Sequence, residues 1–277
     1  MIDMIEMAAT VRLSDLPMAY AIEGGGITLV FIHEVATDHR LWHHQRTYFR
    51  TRYRKIVIDV LGHGQVAWPR NEISIEHAAR RVQQLLERLG TGPAFVIGVS
   101  MGAAVAMRLA LDAPALVQGL VLVSPWSYAN DHMQSLVDRL FRVAEAEDMA
   151  TYISMFLRYI VPTADLERYT SEVRLLRALA LAQDPKVVAD TWAACLAFDV
   201  RGRLREIRVP GLVIAGMHDL FTPPYLARPV AEGLSDGKLE IWEETGHFPF
   251  LEDPARFNGR LDAFILCCLA RARGRSE

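Results

Sequence analysis

Ala94-Phe95-Val96-Ile97-Gly98-Val99-Ser100-Met101-Gly102-Ala103-Ala104 decides how this chain folds. Its first half is an apolar, β-branched run of the kind that forms a strand buried on both faces. Its second half opens an Ala-, Leu- and Met-rich stretch, Met101 to Asp112, of helical character. A Gly-x-Ser-x-Gly turn between a strand and a helix must be very sharp, so the positions two before and two after the serine must be small. Gly98 and Gly102 meet that need, and Ala103 and Ala104 let the helix lie close to the sheet. The serine then stands exposed at the sheet edge, on the positive end of a helix.

The rest of the chain repeats the rhythm. Apolar runs at Ile27 to Ile32, Lys55 to Val60, Leu120 to Ser124 and Gly211 to Ala215 read as further buried strands, with a shorter candidate at Leu239 to Trp242. Before them, Thr10 to Leu13 and Met18 to Ile22 read as a hairpin around Ser14-Asp15, broken by Gly24-Gly25-Gly26. Helical stripes lie between the strands. Ile75, Ala79, Val82, Leu86 and Leu89 share one face and stop at Gly90; Phe257, Leu261, Phe264, Ile265 and Cys268 share another within about Pro254 to Ala270. Strands alternating with helices predict a mostly parallel, twisted α/β sheet flanked by helices.

Residues 126–200 break the pattern. No strand is evident there, while Met133, Leu136, Val137, Leu140 and Val143 form one helical stripe. Met149, Tyr152, Ile153, Phe156 and Ile160 form a second, stopped by Pro162, and Asp184-Pro185 reads as an N-cap with proline at the first helical position. The expected organisation is an α/β core of residues 1–125 and 201–277 with a helical cap inserted at 126–200. The insertion follows a strand end, where loops of such sheets carry function.

Composition limits the function. The chain has 277 residues, 51% hydrophobic and 23% charged, which fits a globular protein and argues against disorder. With 30 Lys+Arg against 33 Asp+Glu it lacks the basic excess of a nucleic-acid binder. The most apolar stretch, Ala94 to Met107, is interrupted by Ser100 and falls short of the ~20 residues of a membrane helix. The start carries early acids and no basic segment, so no signal peptide is expected. Cys195, Cys267 and Cys268 form no CxxC, which indicates neither a disulfide framework nor a zinc site, and a reducing cytoplasm is the expected compartment. A homo-oligomer is left open.

A serine hydroxyl needs a base, and the base needs an orienting group. Asp219 follows the strand Gly211 to Ala215, and His247 follows the next short strand. Ser100, Asp219 and His247 thus come in the order serine, acid, histidine at three strand ends on one sheet edge, the arrangement of a catalytic triad. His218 beside Asp219 lacks a third metal ligand, so no metal is expected. His43-His44 reads as an exposed helix start and His63 as a structural turn residue.

These residues resemble the α/β-hydrolase superfamily over essentially the whole chain outside residues 126–200. The resemblance rests on His33 after the strand, on Asp59-Val60-Leu61-Gly62-His63-Gly64 and on the Gly-x-Ser-x-Gly. Val209-Pro210-Gly211-Leu212-Val213-Ile214, Gly216-x-x-Asp219, and Gly246-His247 followed by Glu252-Asp253-Pro254 complete it. It implies an oxyanion hole made by the backbone N–H of Met101 and of Val35, in the loop after Ile27 to Ile32. Most family members have His-Gly at the head of that loop, and this chain has His33-Glu34. Glu34 could turn to solvent, stay buried and protonated, or bind a polar substrate group. The run Thr37-Asp38-x-Arg40-x-Trp42 and Thr222-Pro223-Pro224 are similar to 3-oxoadipate enol-lactonases. Trp126, Phe221 and Phe248, with Glu34, are the candidate substrate-binding residues.

The expected function is hydrolysis of an ester or lactone of a small molecule through an acyl-enzyme, with no cofactor, nucleic acid or membrane involved. A C–C bond hydrolase, thioesterase, acyl transferase or tailoring enzyme of secondary metabolism would use the same triad. A non-catalytic small-molecule receptor is the alternative of another class.

Overall fold

The computed structural model describes residues 11–13, 16–64, 68–161 and 169–274. Among them, eight strands form one sheet in the order β1-β2-β4-β3-β5-β6-β7-β8. The strands are β1 (Val11–Leu13), β2 (Leu16–Glu23), β3 (Thr28–Ile32), β4 (Arg54–Asp59), β5 (Ala94–Val99), β6 (Val117–Val123), β7 (Pro210–Gly216) and β8 (Asp236–Trp242). β1 pairs antiparallel with β2, and β2 with β4; every other pairing is parallel. The expected α/β fold is therefore present. The N-terminal hairpin is present too, although its Thr10, Ser14 and Asp15 lie outside the described residues. β3 to β6 are buried along almost their whole length, as their unbroken apolar runs require. β8 lies at the sheet edge and begins exposed, which is why its first residues carry no apolar signal.

Ten α-helices lie among the described residues, besides short 3-10 turns: α1 (His43–Tyr48), α2 (Ile75–Leu89), α3 (Met101–Asp112), α4 (Asp131–Glu145), α5 (Met149–Ile160), α6 (Thr170–Leu181), α7 (Pro185–Ala197), α8 (Pro224–Gly233), α9 (Pro249–Glu252) and α10 (Pro254–Arg273). Their ends follow local chemistry. Ser74 accepts from the His77 N–H at the start of α2, and Gly90 ends that helix at φ +56°. Asp184 accepts from the Lys186 N–H at the start of α7, as the Asp-Pro pair predicts. α4 to α7 occupy the stretch between β6 and β7 where no strand is expected from the sequence; an isolated bridge, Tyr128 to Asp199, and the Val200 N–H donating to the Ser127 carbonyl at 2.8 Å join its two ends. No helix among the described residues is long and apolar enough to cross a membrane.

The strand order sets the site. β4 and β5 leave β3 on opposite sides, and a sheet opens its crevice at the carboxyl ends of the strands at such a reversal. Ile32 is in register with Gly98, so the loop after β3 and the turn after β5 leave the sheet side by side. The β5–α3 turn is tight. A Cβ on Gly98 would come within 2.2 Å of the Gly102 carbonyl oxygen, and one on Gly102 within 2.2 Å of the Ile32 carbonyl oxygen. Both neighbours are backbone and cannot swing away. Gly102→Ala is therefore expected to destabilise by at least about 3 kcal/mol, the upper range of core overpacking. A denaturant melt checks this; a loss under about 1 kcal/mol would mean that the turn relaxes.

Candidate active site

Ser100 stands between β5 and α3 with φ +52° and ψ −117°, a conformation that costs a non-glycine residue about 1–3 kcal/mol. Its N–H donates to the Val123 carbonyl at 2.9 Å, which ties the turn to β6. Its side chain is buried, caps nothing, and has no hydrogen-bond partner. The Met101 N–H is the first of α3, among the N-terminal amides that a helix leaves without an internal acceptor.

Asp219 and His247 are brought together by the loops after β7 and β8. The His247 Nδ1 lies 2.6 Å from Asp219 Oδ2. Asp219 is held from its own loop: Oδ1 accepts the N–H groups of Phe221 and Thr222, each at 2.9 Å, and Oδ2 also accepts the Thr222 hydroxyl at 2.8 Å. Burial would raise the Asp219 carboxyl, but the His247 charge and these donors hold it below its usual range. An ionised Asp219 fixes the proton of a neutral imidazole on Nδ1 and leaves Nε2 as the basic nitrogen. The Ser124 hydroxyl donates to the His247 carbonyl at 2.9 Å, and the His247 N–H to the Ile160 carbonyl at 2.9 Å. Ser124 carried no motif signal, and Thr222 entered only through the Thr222-Pro223-Pro224 likeness, with no role assigned.

Glu252 secures the His247 loop, its two carboxylate oxygens accepting from the N–H groups of Gly246 (2.7 Å) and Phe248 (2.9 Å). Burial, opposed by those two donors, pushes its carboxyl up to about 7. An acid raised on folding binds its proton in the folded chain while the unfolded chain has lost it. Its contribution is thus full below the ordinary glutamate value and is lost as pH rises to about 7. Between about pH 5 and 8 the wild type should lose stability relative to Glu252→Gln, which cannot titrate. Denaturant melts across that range check this; parallel profiles for the two proteins would contradict it.

The loop after β3 is shaped by two neutral histidines. His33 Nε2 accepts from the Val60 N–H at 3.0 Å, so its Nδ1–H donates to the Glu34 carbonyl at 2.7 Å. His63 Nε2 accepts from the Ala36 N–H at 3.0 Å, leaving its Nδ1–H for the Val60 carbonyl at 3.2 Å. Burial disfavours charge on both rings, and His63 is pushed down to about 3. The structural reading of His63 therefore holds. Ala36 takes φ +60°, and Val35 is fully buried beside it.

Glu34 does not turn to solvent. Its side chain is 1% exposed, and Oε2 faces His247 Nε2 at 3.4 Å. The carbonyl of Glu34 accepts from the His33 ring and from the Thr37 hydroxyl at 3.1 Å, which pins the backbone at this residue. At 3.4 Å the two atoms stand within ion-pair range but outside good hydrogen-bond geometry, and Oε2, Nε2 and Ser100 Oγ all lack a partner. Burial raises the Glu34 carboxyl, with His247 partly opposing. Burial works against charge on His247, but Asp219 and then Glu34 outweigh it and push the imidazole up to about 10. The two groups are coupled, because each one's preferred charge depends on the other's.

Aromatic rings surround this pair. Phe221 and Phe248 lie 5.7 and 4.9 Å from the His247 ring, centroid to centroid. Phe156 of α5 lies 6.3 Å from it and packs edge-on against Phe221 and against Trp192 of α7. The Trp192 Nε1–H donates to the Tyr152 hydroxyl oxygen at 3.1 Å. Trp126 is fully buried and meets Phe198 at 6.4 Å. Phe156, Tyr152 and Trp192 were not singled out from the sequence, although the 152–156 spacing had placed two of them on one helical face. His39 lies between Asp38 and Asp59, with Nδ1 on Asp59 Oδ1 at 2.8 Å. The Arg40 guanidinium already holds Asp38 with two hydrogen bonds, at 2.9 and 2.6 Å, and the Arg40 backbone N–H adds a third at 3.0 Å.

A family model for the α/β hydrolase fold matches residues 27–254. The chain belongs to that family. A pimeloyl-acyl-carrier-protein methyl ester esterase of Nitrosospira multiformis is 29% identical over 259 residues, covering 87% of this chain and 95% of that protein. A solved structure described as an N-acyl homoserine lactone degrading enzyme is 29% identical with a TM-score of 0.77, covering 89% of this chain and 96% of that one. The enol-lactonase of Burkholderia xenovorans has a TM-score of 0.84 at 22% identity, covering 90% and 96%, a likeness of fold.

Proposed function

We propose that the protein is a serine hydrolase that cleaves an ester or lactone of a small molecule through an acyl-enzyme. One observation carries the reading: Ser100 on its strained turn at the head of α3 shares a sheet edge with a His247 whose Nδ1 is 2.6 Å from a buried, ionised Asp219. In this mechanism Ser100 Oγ attacks the carbonyl carbon as its proton passes to Nε2. The imidazolium, stabilised by Asp219, then gives that proton to the leaving oxygen. Water repeats the sequence on the acyl-enzyme and restores Ser100. The N–H groups of Met101 and Val35 hold the oxyanion, and each such donor is worth about 3 kcal/mol. The esterase and lactone-degrading relatives support this class of bond. Trp126, Phe221 and Phe248, with Phe156 and Trp192, supply the apolar lining. Residues 126–200 act as a cap over the site, since α5 and α7 cover His247 and Phe221.

Short p-nitrophenyl esters and γ-lactones, assayed with product analysis in the presence of added alcohols and amines, test the reading. Free acid as the product supports hydrolysis; acylated acceptor points to transfer. Saturable binding of the same compounds without turnover would favour a receptor, a reading for which the unpartnered Ser100 hydroxyl is the relevant observation.

A further inference from the structure

Glu34 places a carboxyl group at the one position where the serine-hydrolase reading needs none. The group is buried, and Oε2 has no hydrogen-bond partner. Among the described residues no lysine or arginine pairs with it; its ion-pair contact is His247 Nε2 at 3.4 Å. The rings around His247 are aromatic, and Tyr152, whose oxygen accepts from Trp192, makes no hydrogen bond to Oε2. A buried carboxyl oxygen left unsatisfied is costly, and such atoms in native folds call for an explanation. In this position Glu34 also competes with Ser100 for the nitrogen that must become its base.

A ligand carrying a hydrogen-bond donor resolves both problems. Nucleophile and base meet at about 3 Å in a working site, so Nε2 lies close to the attacked carbonyl. Oε2 is 3.4 Å from Nε2, which places a donor bound there within one small substituent of the scissile bond. We propose that Glu34 is a specificity-determining residue that accepts a hydrogen bond from a hydroxyl, amide N–H or ammonium group three or four bonds from the scissile carbonyl carbon. The bond draws the carboxyl off Nε2 and frees it for Ser100, so donor-bearing esters gain in kcat as well as in KM. A substrate carboxylate in the same place would meet like charge or an unsatisfied acceptor in a dry pocket and is selected against. The inference rests on the serine-hydrolase reading for its effect on turnover.

Matched esters test it: ethyl 3-hydroxybutanoate against its methyl isostere ethyl 3-methylbutanoate, and 2-hydroxyethyl butanoate against propyl butanoate, with the 4-ethyl monoester of 2-methylsuccinate as the acid-bearing member. In at least one pair the hydroxyl ester should be preferred by about 10-fold or more in kcat/KM, part of it in kcat, and the acid ester should be the slowest. Glu34→Ala should bring the preference to within about 3-fold and speed the plain esters, because the imidazole is freed. Glu34→Gln, which keeps the shape without the charge, should accept the acid ester better than the wild type does. Thermal melts establish that each variant is folded. Tryptophan-fluorescence titration of the same esters into Ser100→Ala reads the preference without turnover, so it still decides the role of Glu34 if the serine chemistry is wrong. No preference in either pair, by rate and by binding, would overturn the proposal, as would a preference unchanged in both Glu34 variants.

Discussion

Ser100→Ala is expected to lower kcat/KM on any ester or lactone turned over by the protein by about 10⁴-fold or more. The melting temperature should stay within about 2 °C of wild type. The first half follows from the reading of Ser100 as nucleophile: no other group can form the acyl-enzyme, and the remaining machinery supplies only the residual rate of binding and oxyanion stabilisation. The second half follows from the structure. The hydroxyl is buried without a hydrogen-bond partner, so its removal breaks no bond and relieves an unsatisfied polar atom. Alanine meets the same backbone strain at φ +52° as serine. Steady-state kinetics and a thermal melt on one preparation check both halves. A fall in stability comparable to the fall in activity would make the serine structural.

Asp219→Asn should cost about 10⁴-fold in kcat, the second largest effect. Asn keeps the geometry, since its oxygen can still accept from the Phe221 and Thr222 N–H groups that Oδ1 now serves. Its amide nitrogen then faces His247 Nδ1 in place of Oδ2. Two donors cannot face one another, so the imidazole moves its proton to Nε2 and can no longer take one from Ser100. The lost anion also stops stabilising the imidazolium. The two effects fall on kcat and largely spare KM, so the measurement is the separate determination of the two constants. A variant that loses affinity with kcat intact would assign Asp219 to the substrate pocket.

The sheet and the order of its chemistry were legible because buried strands write unbroken apolar runs. A Gly-x-Ser-x-Gly between such a run and an Ala-rich helix has few other structural meanings. Asp219 and His247 were legible by position, each just past a strand end. Other parts were not. α6 buries only Leu176, Leu179 and Ala180, too narrow a stripe to stand out. β8 begins exposed, so only its end was seen. The packing of Phe156 and Trp192 around Phe221 and His247 joins residues far apart in the chain, and no local period encodes that. Glu34 was visible as an anomaly, but that its side chain faces His247, far along the chain, is a tertiary fact.

The most direct measurement is peptide mapping by mass spectrometry after reaction with a fluorophosphonate, which captures only a serine activated by its base. The account predicts one adduct per chain, located on Ser100, with labelling lost in His247→Ala although that variant remains folded. An unmodified Ser100 in protein that turns over esters, or an adduct on another residue, would contradict it.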